Sequence, residues 1–230
     1  MEDSMEFNYD WISDPKVFAV NRIQAYSDHE YYADYDEIDE ESSFKVSLNG
    51  LWNFHYASNF SQVIKGFEKN EFDTRNWDKI KVPGHIQLQG YDSPIYVNQM
   101  YPWSGYEDIK PGQIPTDFNP VGSYVRYFEV AENEAEPLFI HFDGVESAFA
   151  LWLNGHFVGY SEDSFTPANF ELTPYVCQGE NKLAVQVFKW SSGSWLEDQD
   201  FWRFSGIFRD VYLYTLPNTH IQDMLSLIHI

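Results

Sequence analysis

From Phe44 onward the chain is cut into short runs of β-branched and aromatic residues, and no stretch keeps a helical period long enough to make an amphipathic helix. The runs are "YVRYFEV" (124–130), "LFIHFDG" (138–144), "AFALWLNG" (148–155), "HFVGY" (156–160), "NKLAVQVFKW" (181–190) and "DVYLYTL" (210–216). Such runs favour strands because branched and ring side chains pack well on a pleated surface. About eight strands with no helical layer to cover them can bury their apolar faces only against one another, which predicts an all-β jelly-roll β-sandwich. Two further strands are expected at the front, where Phe44, Val46 and Leu48 alternate with polar neighbours and Trp52, Phe54 and Tyr56 alternate again. Asn49-Gly50 between them predicts a tight hairpin, as does Asn154-Gly155. Residues 57–82 read as a turn of helix followed by a strand edge at Ile80–Val82. Residues 83–122, rich in Pro and Gly, read as a long irregular connection, and a loop of that length in a compact domain is usually functional or covered by a partner.

The charge narrows the partners. A net charge of −22 from 14 basic and 36 acidic residues repels phosphate backbones and anionic lipid, so neither nucleic acid nor a membrane is an expected partner. Residues 1–43 hold thirteen of the acids against Lys16 and Arg22 alone and show no sustained period, which predicts an irregular acidic segment that wraps the body or meets another subunit. The start "MEDSMEFNYD" lacks a basic region followed by an apolar run, and nothing approaches the roughly 18 apolar residues that span a bilayer. The single cysteine, Cys177, cannot form an internal disulfide and reads as a buried inert thiol; a cytoplasmic location is the simplest expectation.

Aromatic residues make up 19% of the chain. Rings fill sandwich cores, and they also stack on the apolar faces of sugars; only rings beside convergent polar groups merit the second reading. Motifs for acyl transfer, phosphate or dinucleotide binding are absent, and the seven histidines are scattered without metal spacing. The densest gathering of rings and acids is "WLEDQDFWRFSGIFRD" (195–210), with Gly206 as its flexible joint. Taken alone, Asp200 there reads as an ion-pair partner of Arg203 or Arg209, and Asn98 in "PIYVNQMYP" as a loop cap.

The segments "SLNGLWNFHYA", "VPGHIQLQGYDSPIYVNQMYPW", "FDGVESAFALWLNGHFVGYSEDSFTPANFELT" and "NKLAVQVFKWSSGSWLEDQDFWRFSGIFRDV", in this order, closely resemble the amino-terminal, galactose-binding-domain-like jelly roll of glycoside hydrolase family two β-galactosidases. The wording is nearest to the large-subunit or long-chain enzymes of Gram-positive bacteria, and the match runs from about Pro15 to about Thr219. The resemblance implies a sugar-binding domain at 44–219 behind the acidic segment 1–43, with 220–230, ending in "LSLIHI", as a linker start or an appended tail. It implies that Asn98 and Asp200 contact the substrate galactoside, and that Asp200 supplies part of a sodium site. The catalytic glutamates and the magnesium ligands of the family lie on a barrel further along the chain, so no catalytic residue is expected here and no cofactor is expected to bind strongly. Glu197 and Asp198 are read as structural support. The partners implied are a β-galactoside and the remaining β-galactosidase domains or subunits. The alternatives are a stand-alone carbohydrate-binding module and an assembly element without a ligand of its own.

Overall fold

The computed structural model describes residues 5–131, 137–197 and 200–228. With strands numbered in chain order, a seven-stranded antiparallel sheet runs β1 (Ala19–Val20), β10 (His156–Glu162), β9 (Ala148–Leu153), β12 (Gly179–Phe188), β6 (Val121–Val130), β3 (Gly50–Ala57) and β4 (Asp78–Val82). A four-stranded antiparallel sheet, β11 (Ala168–Glu171), β7 (Leu138–Phe142), β15 (Val211–Thr215) and β2 (Lys45–Ser47), packs against it. Two short ribbons complete the described strands: β5 (Ile95–Val97) with β13 (Phe201–Arg203), and β8 (Val145–Glu146) with β14 (Gly206–Ile207). This is the expected all-β sandwich.

Alternation places one set of side chains between the sheets. Phe149, Leu151 and Leu153 of β9 and Leu183, Val185 and Val187 of β12 meet Ile140 and Phe142 of β7 and Phe170 of β11, all buried. The opposite face of the large sheet is covered as well. Ala150, Trp152, Tyr160, Ala184 and Phe188 lie beneath Phe7, Trp11 and Ile12 from the front of the chain and Phe67 from the connection between β3 and β4. Phe7 alone sits 5.7 Å from Trp152 and 5.8 Å from Phe188, ring centre to ring centre. Burial on both faces explains why every residue of β9 is buried and why its sequence reads as a continuous apolar run.

Asn154-Gly155 makes the hairpin between β9 and β10, with both residues at positive φ, 53° and 84°. Asn49-Gly50 does not make one. β2 pairs with β15 in the small sheet whereas β3 pairs with β4 and β6 in the large one, so the chain changes sheets at this point. The Asn49 side chain is used instead to tie the start of β15, accepting from Val211 N at 3.1 Å and donating to Asp210 at 2.9 Å. Cys177, expected to be buried, is exposed in the turn after β11, where its Sγ lies 3.4 Å from Asn181 Oδ1. No helix among the described residues is long and apolar enough to cross a membrane.

Candidate functional site

The β5–β13 ribbon brings together the two residues singled out in the sequence. Its antiparallel register is Phe201 to Val97, Trp202 to Tyr96 and Arg203 to Ile95, so Asn98 follows and Asp200 precedes the same terminal pair. Both are exposed. Asp200 takes a left-handed conformation, φ +59°, which a short polar side chain tolerates and which turns the chain into β13. The Tyr96 hydroxyl donates to Asp200 Oδ1, and the carboxylate in turn holds the phenol proton above its usual range. Tyr96 and Trp202 stand 5.5 Å apart across the ribbon. Arg209 donates to the Phe165 carbonyl, and Arg203 to that of Glu197. Asp198 lies outside the described residues.

A ribbon of three residue pairs does not hold itself in place, and here buried polar groups do so. Lys189 follows β12 and is 1% exposed; its ammonium pairs with Asp92 at 2.5 Å. Asp92 also accepts from Gln87, which donates to Ser205 Oγ at 2.8 Å and accepts from Ser205 N at 2.9 Å. One chain of contacts thus ties the sandwich to the segment that leads into β5 and to the segment that follows β13. A second tie fixes the approach to Asp200. Glu162, at the end of β10, accepts from Tyr160 Oη, Ser192 Oγ and Gly193 N at 2.7, 3.1 and 3.2 Å, and Ser164 Oγ donates to Glu197 at 2.9 Å. Gly206 lets the backbone close over both: at φ +123° an added Cβ would stand 3.0 Å from Gly84 O and 3.0 Å from Tyr124 Oη.

Residues 45–217 match the family model described as "Glycosyl hydrolases family 2, sugar binding domain". The chain belongs to that family. Among curated relatives it is 61% identical over 220 residues to a beta-galactosidase of Halalkalibacterium halodurans, covering 94% of this chain and 22% of the relative. It is 45% identical over 234 residues to the beta-galactosidase large subunit of Latilactobacillus sakei, covering 96% and 37%. The chain therefore spans about a fifth to a third of the length of these relatives. Among solved structures, the beta-glucuronidase 2 of Bacteroides uniformis superposes with a TM-score of 0.56 at 20% identity, over 76% of this chain and 18% of that one, which shows the shared fold.

The electrostatics of this family 2 domain concentrate under the ribbon. Burial, with the charge of Glu197 behind it, pushes Glu146 of β8 up to about 7. Burial likewise raises Glu162 and Glu197, although hydroxyl and backbone donors oppose it. Burial also works against the Asp92 carboxylate, but Lys189 outweighs it and holds Asp92 below the ordinary range, while desolvation lowers Lys189 itself. The sequence reading missed this framework. Its one visible signal was a lysine, Lys189, directly after a strand of uninterrupted core character, where a charge survives only with a buried partner.

Proposed function

We propose that this domain is part of a β-galactosidase that hydrolyses terminal β-D-galactosides such as lactose with retention, and that Asn98 and Asp200 bind hydroxyls of the galactose. The observation that carries the reading is the register of the β5–β13 ribbon, whose terminal pair Val97–Phe201 is flanked by these two exposed residues, Asn98 after β5 and Asp200 before β13. An amide offers both a donor and an acceptor, and a carboxylate offers about four lone-pair sites, one of which Tyr96 uses. Together they suit a pair of neighbouring hydroxyls. The names of the curated relatives support galactosides as substrates, and the share of those relatives that this chain covers supports an active site completed by further sequence. Exposed Tyr96, Met100, Phe201 and Trp202 around the ribbon, 38% to 68% accessible, support the same reading, since the remaining domains or subunits would cover them.

The Asp200 carboxylate is a hard oxygen donor and fits as one ligand of a sodium ion. Among the described residues no group of three or more His, Cys, Asp or Glu could hold a metal, so further sodium ligands, and those for magnesium, are assigned to the rest of the enzyme. When bound, sodium would add a positive charge beside the galactose hydroxyls. We assign the protein to the cytoplasm, where an exposed thiol such as Cys177 stays reduced.

The test is a titration of this 230-residue chain with methyl β-D-galactoside, followed by amide NMR shifts, beside a hydrolysis assay with a chromogenic galactoside. The expected result is millimolar binding, about −4 kcal/mol, with shifts confined to 95–98 and 200–203, loss of binding in Asp200→Asn, and no hydrolysis. Asparagine keeps the left-handed backbone and removes only the charge. Hydrolysis by this chain, or shifts that ignore the ribbon, would overturn the reading.

A further inference from the structure

A line of ring contacts that ends at Asp200 begins beneath the ribbon, at His85. The imidazole packs against Phe204 at 4.6 Å and lies parallel to Phe208, 5.2 Å between centres and 11° between planes. Phe204 continues to Trp202 at 6.3 Å, Trp202 faces Tyr96 across the ribbon, and the Tyr96 hydroxyl holds Asp200. On its other side His85 meets an acid. Its Nδ1 is buried without a hydrogen bond among the described residues, and Glu146 Oε2 stands 3.9 Å away, just beyond hydrogen-bond reach. Glu146 lies in β8, is 7% exposed, and accepts from the backbone N–H of Phe204, the residue that follows β13. The other charged groups bearing on it are Glu197, which opposes its ionisation, and Arg203 and Lys189, which favour it. Arg209 lies over the Phe208 ring, 5.3 Å from its centre.

We propose that Glu146 and His85 are positioning residues for the galactoside site, sharing one proton beneath the ribbon; the role in sugar binding rests on the assignment of the galactoside to Asn98 and Asp200. With the proton in place the ribbon is aligned for the sugar. Its loss to water displaces Phe204 and, through the rings, Asp200. The argument starts from burial. A carboxyl nearly out of water, with a second acid behind it, favours its neutral form. A buried imidazole nitrogen without a partner calls for a donor or an acceptor opposite it. One proton on Glu146 meets both demands: the neutral carboxyl donates to Nδ1 of the Nε2-protonated imidazole, while its other oxygen still accepts from Phe204. Burial accordingly keeps the carboxyl protonated up to about 7 and disfavours the imidazolium. Once the proton leaves, a buried anion faces the lone pair of Nδ1 and the two repel. Phe204 senses both members of the pair, because Glu146 holds its backbone and His85 its ring.

The experiment follows the Glu146 carboxyl carbon, the His85 ring nitrogens and the amides of 95–98 and 201–207 by NMR between pH 4 and pH 8. It uses the native chain and Glu146→Gln, which keeps an acceptor for Phe204 and a donor for His85. In the native chain the carboxyl, the imidazole and the ribbon amides are expected to move together with a midpoint near 7, while the amides of 183–187 in β12 stay still. In Glu146→Gln that movement of the ribbon should vanish. Affinity for methyl β-D-galactoside should fall about fivefold from pH 6 to pH 8 in the native chain and stay level in the variant. A carboxyl that titrates near 4.5, or ribbon amides that stay still while it titrates near 7, would overturn the positioning role. A galactoside that leaves 95–98 and 200–203 unmoved at every pH would instead overturn the ribbon assignment and, with it, the role in sugar binding. The sugar-free titration tells the two failures apart.

Discussion

The sandwich interior and the ribbon that carries Asn98 and Asp200 are held by opposite means. The interior is closed by apolar side chains contributed by adjoining strands, each backed by the pairing of long partners such as β12 and β6, which register residue by residue from Gly179 to Phe188. The ribbon has three paired positions on each strand and exposed rings on its surface; what holds it is a buried lysine, the buried Glu162, the half-buried Asp92 and Glu197, and the hydroxyls that serve them. Apolar packing tolerates a change that conserves volume and apolar character, whereas a buried charge depends on its particular partner. A domain whose task is to present two side chains to a ligand gains from the second arrangement, because direction matters there more than total stability.

The largest separation should come from Phe142→Ala. Phe142 is 1% exposed and packs on Phe149 at 4.9 Å between the sheets. We predict a loss of about 3–5 kcal/mol in urea unfolding, with hydrogen exchange at 95–98 and 200–203 altered only as far as the whole domain is. Selective loss of protection in the ribbon would break the distinction. Asp92→Asn should act the other way round. It strands the ammonium of Lys189 without a counter-charge, which costs about 3 kcal/mol or more, and it should loosen the ribbon before the sheets. If ribbon and sheets lose protection together, the pair braces the whole fold and not the site.

A third prediction concerns pH. The folded chain keeps a proton on Glu146 up to about 7, whereas an ordinary carboxyl loses it near 4.5. Between those values the native state binds more protons than the unfolded state, so stability falls as pH rises, by about 3 kcal/mol at most from this group. Glu162 and Glu197, also raised, act in the same direction. Glu146→Gln should therefore be increasingly more stable than the native chain from pH 5 to pH 8. A difference that does not vary over this range would show that Glu146 ionises in the folded state as an exposed carboxylate does.

These contrasts also explain what the sequence made legible. The strands of the sandwich could be read because burial imposes a pattern: Leu151 and Leu153, or Val185 and Val187, repeat at the period of the pleat. The hairpin at Asn154-Gly155 could be read for the same local reason, but its twin at Asn49-Gly50 could not be told from a sheet change, because the choice is made by Val211 and Asp210, far along the chain. The strands of the ribbon were invisible, since β5 and β13 are three residues long and set in loops. Asn98 and Asp200 were found through family resemblance and not through any pattern of their own. The ties of Asp92, Gln87 and Glu162 are long-range choices that no local period records.

The smallest expected effect tests the finest of those ties. Ser164→Ala removes a single hydroxyl that donates to Glu197 at 2.9 Å, and the loss should be about 1 kcal/mol. The hydroxyl stabilises the ionised carboxylate, and burial already holds Glu197 above its usual range. Without that donor the folded value rises further above the unfolded one, so the cost must grow as pH rises and nearly vanish where both states are protonated. Urea unfolding at pH 5 and pH 8, with exchange measured at 191–197, separates this from simple loss of packing, which would be equal at both. A pH-dependent cost confined to 191–197 would place the hold on Asp200 in the ionised Glu197. A uniform one would place it in the shape of the turn, and the polar ties would then owe their effect to geometry more than to charge.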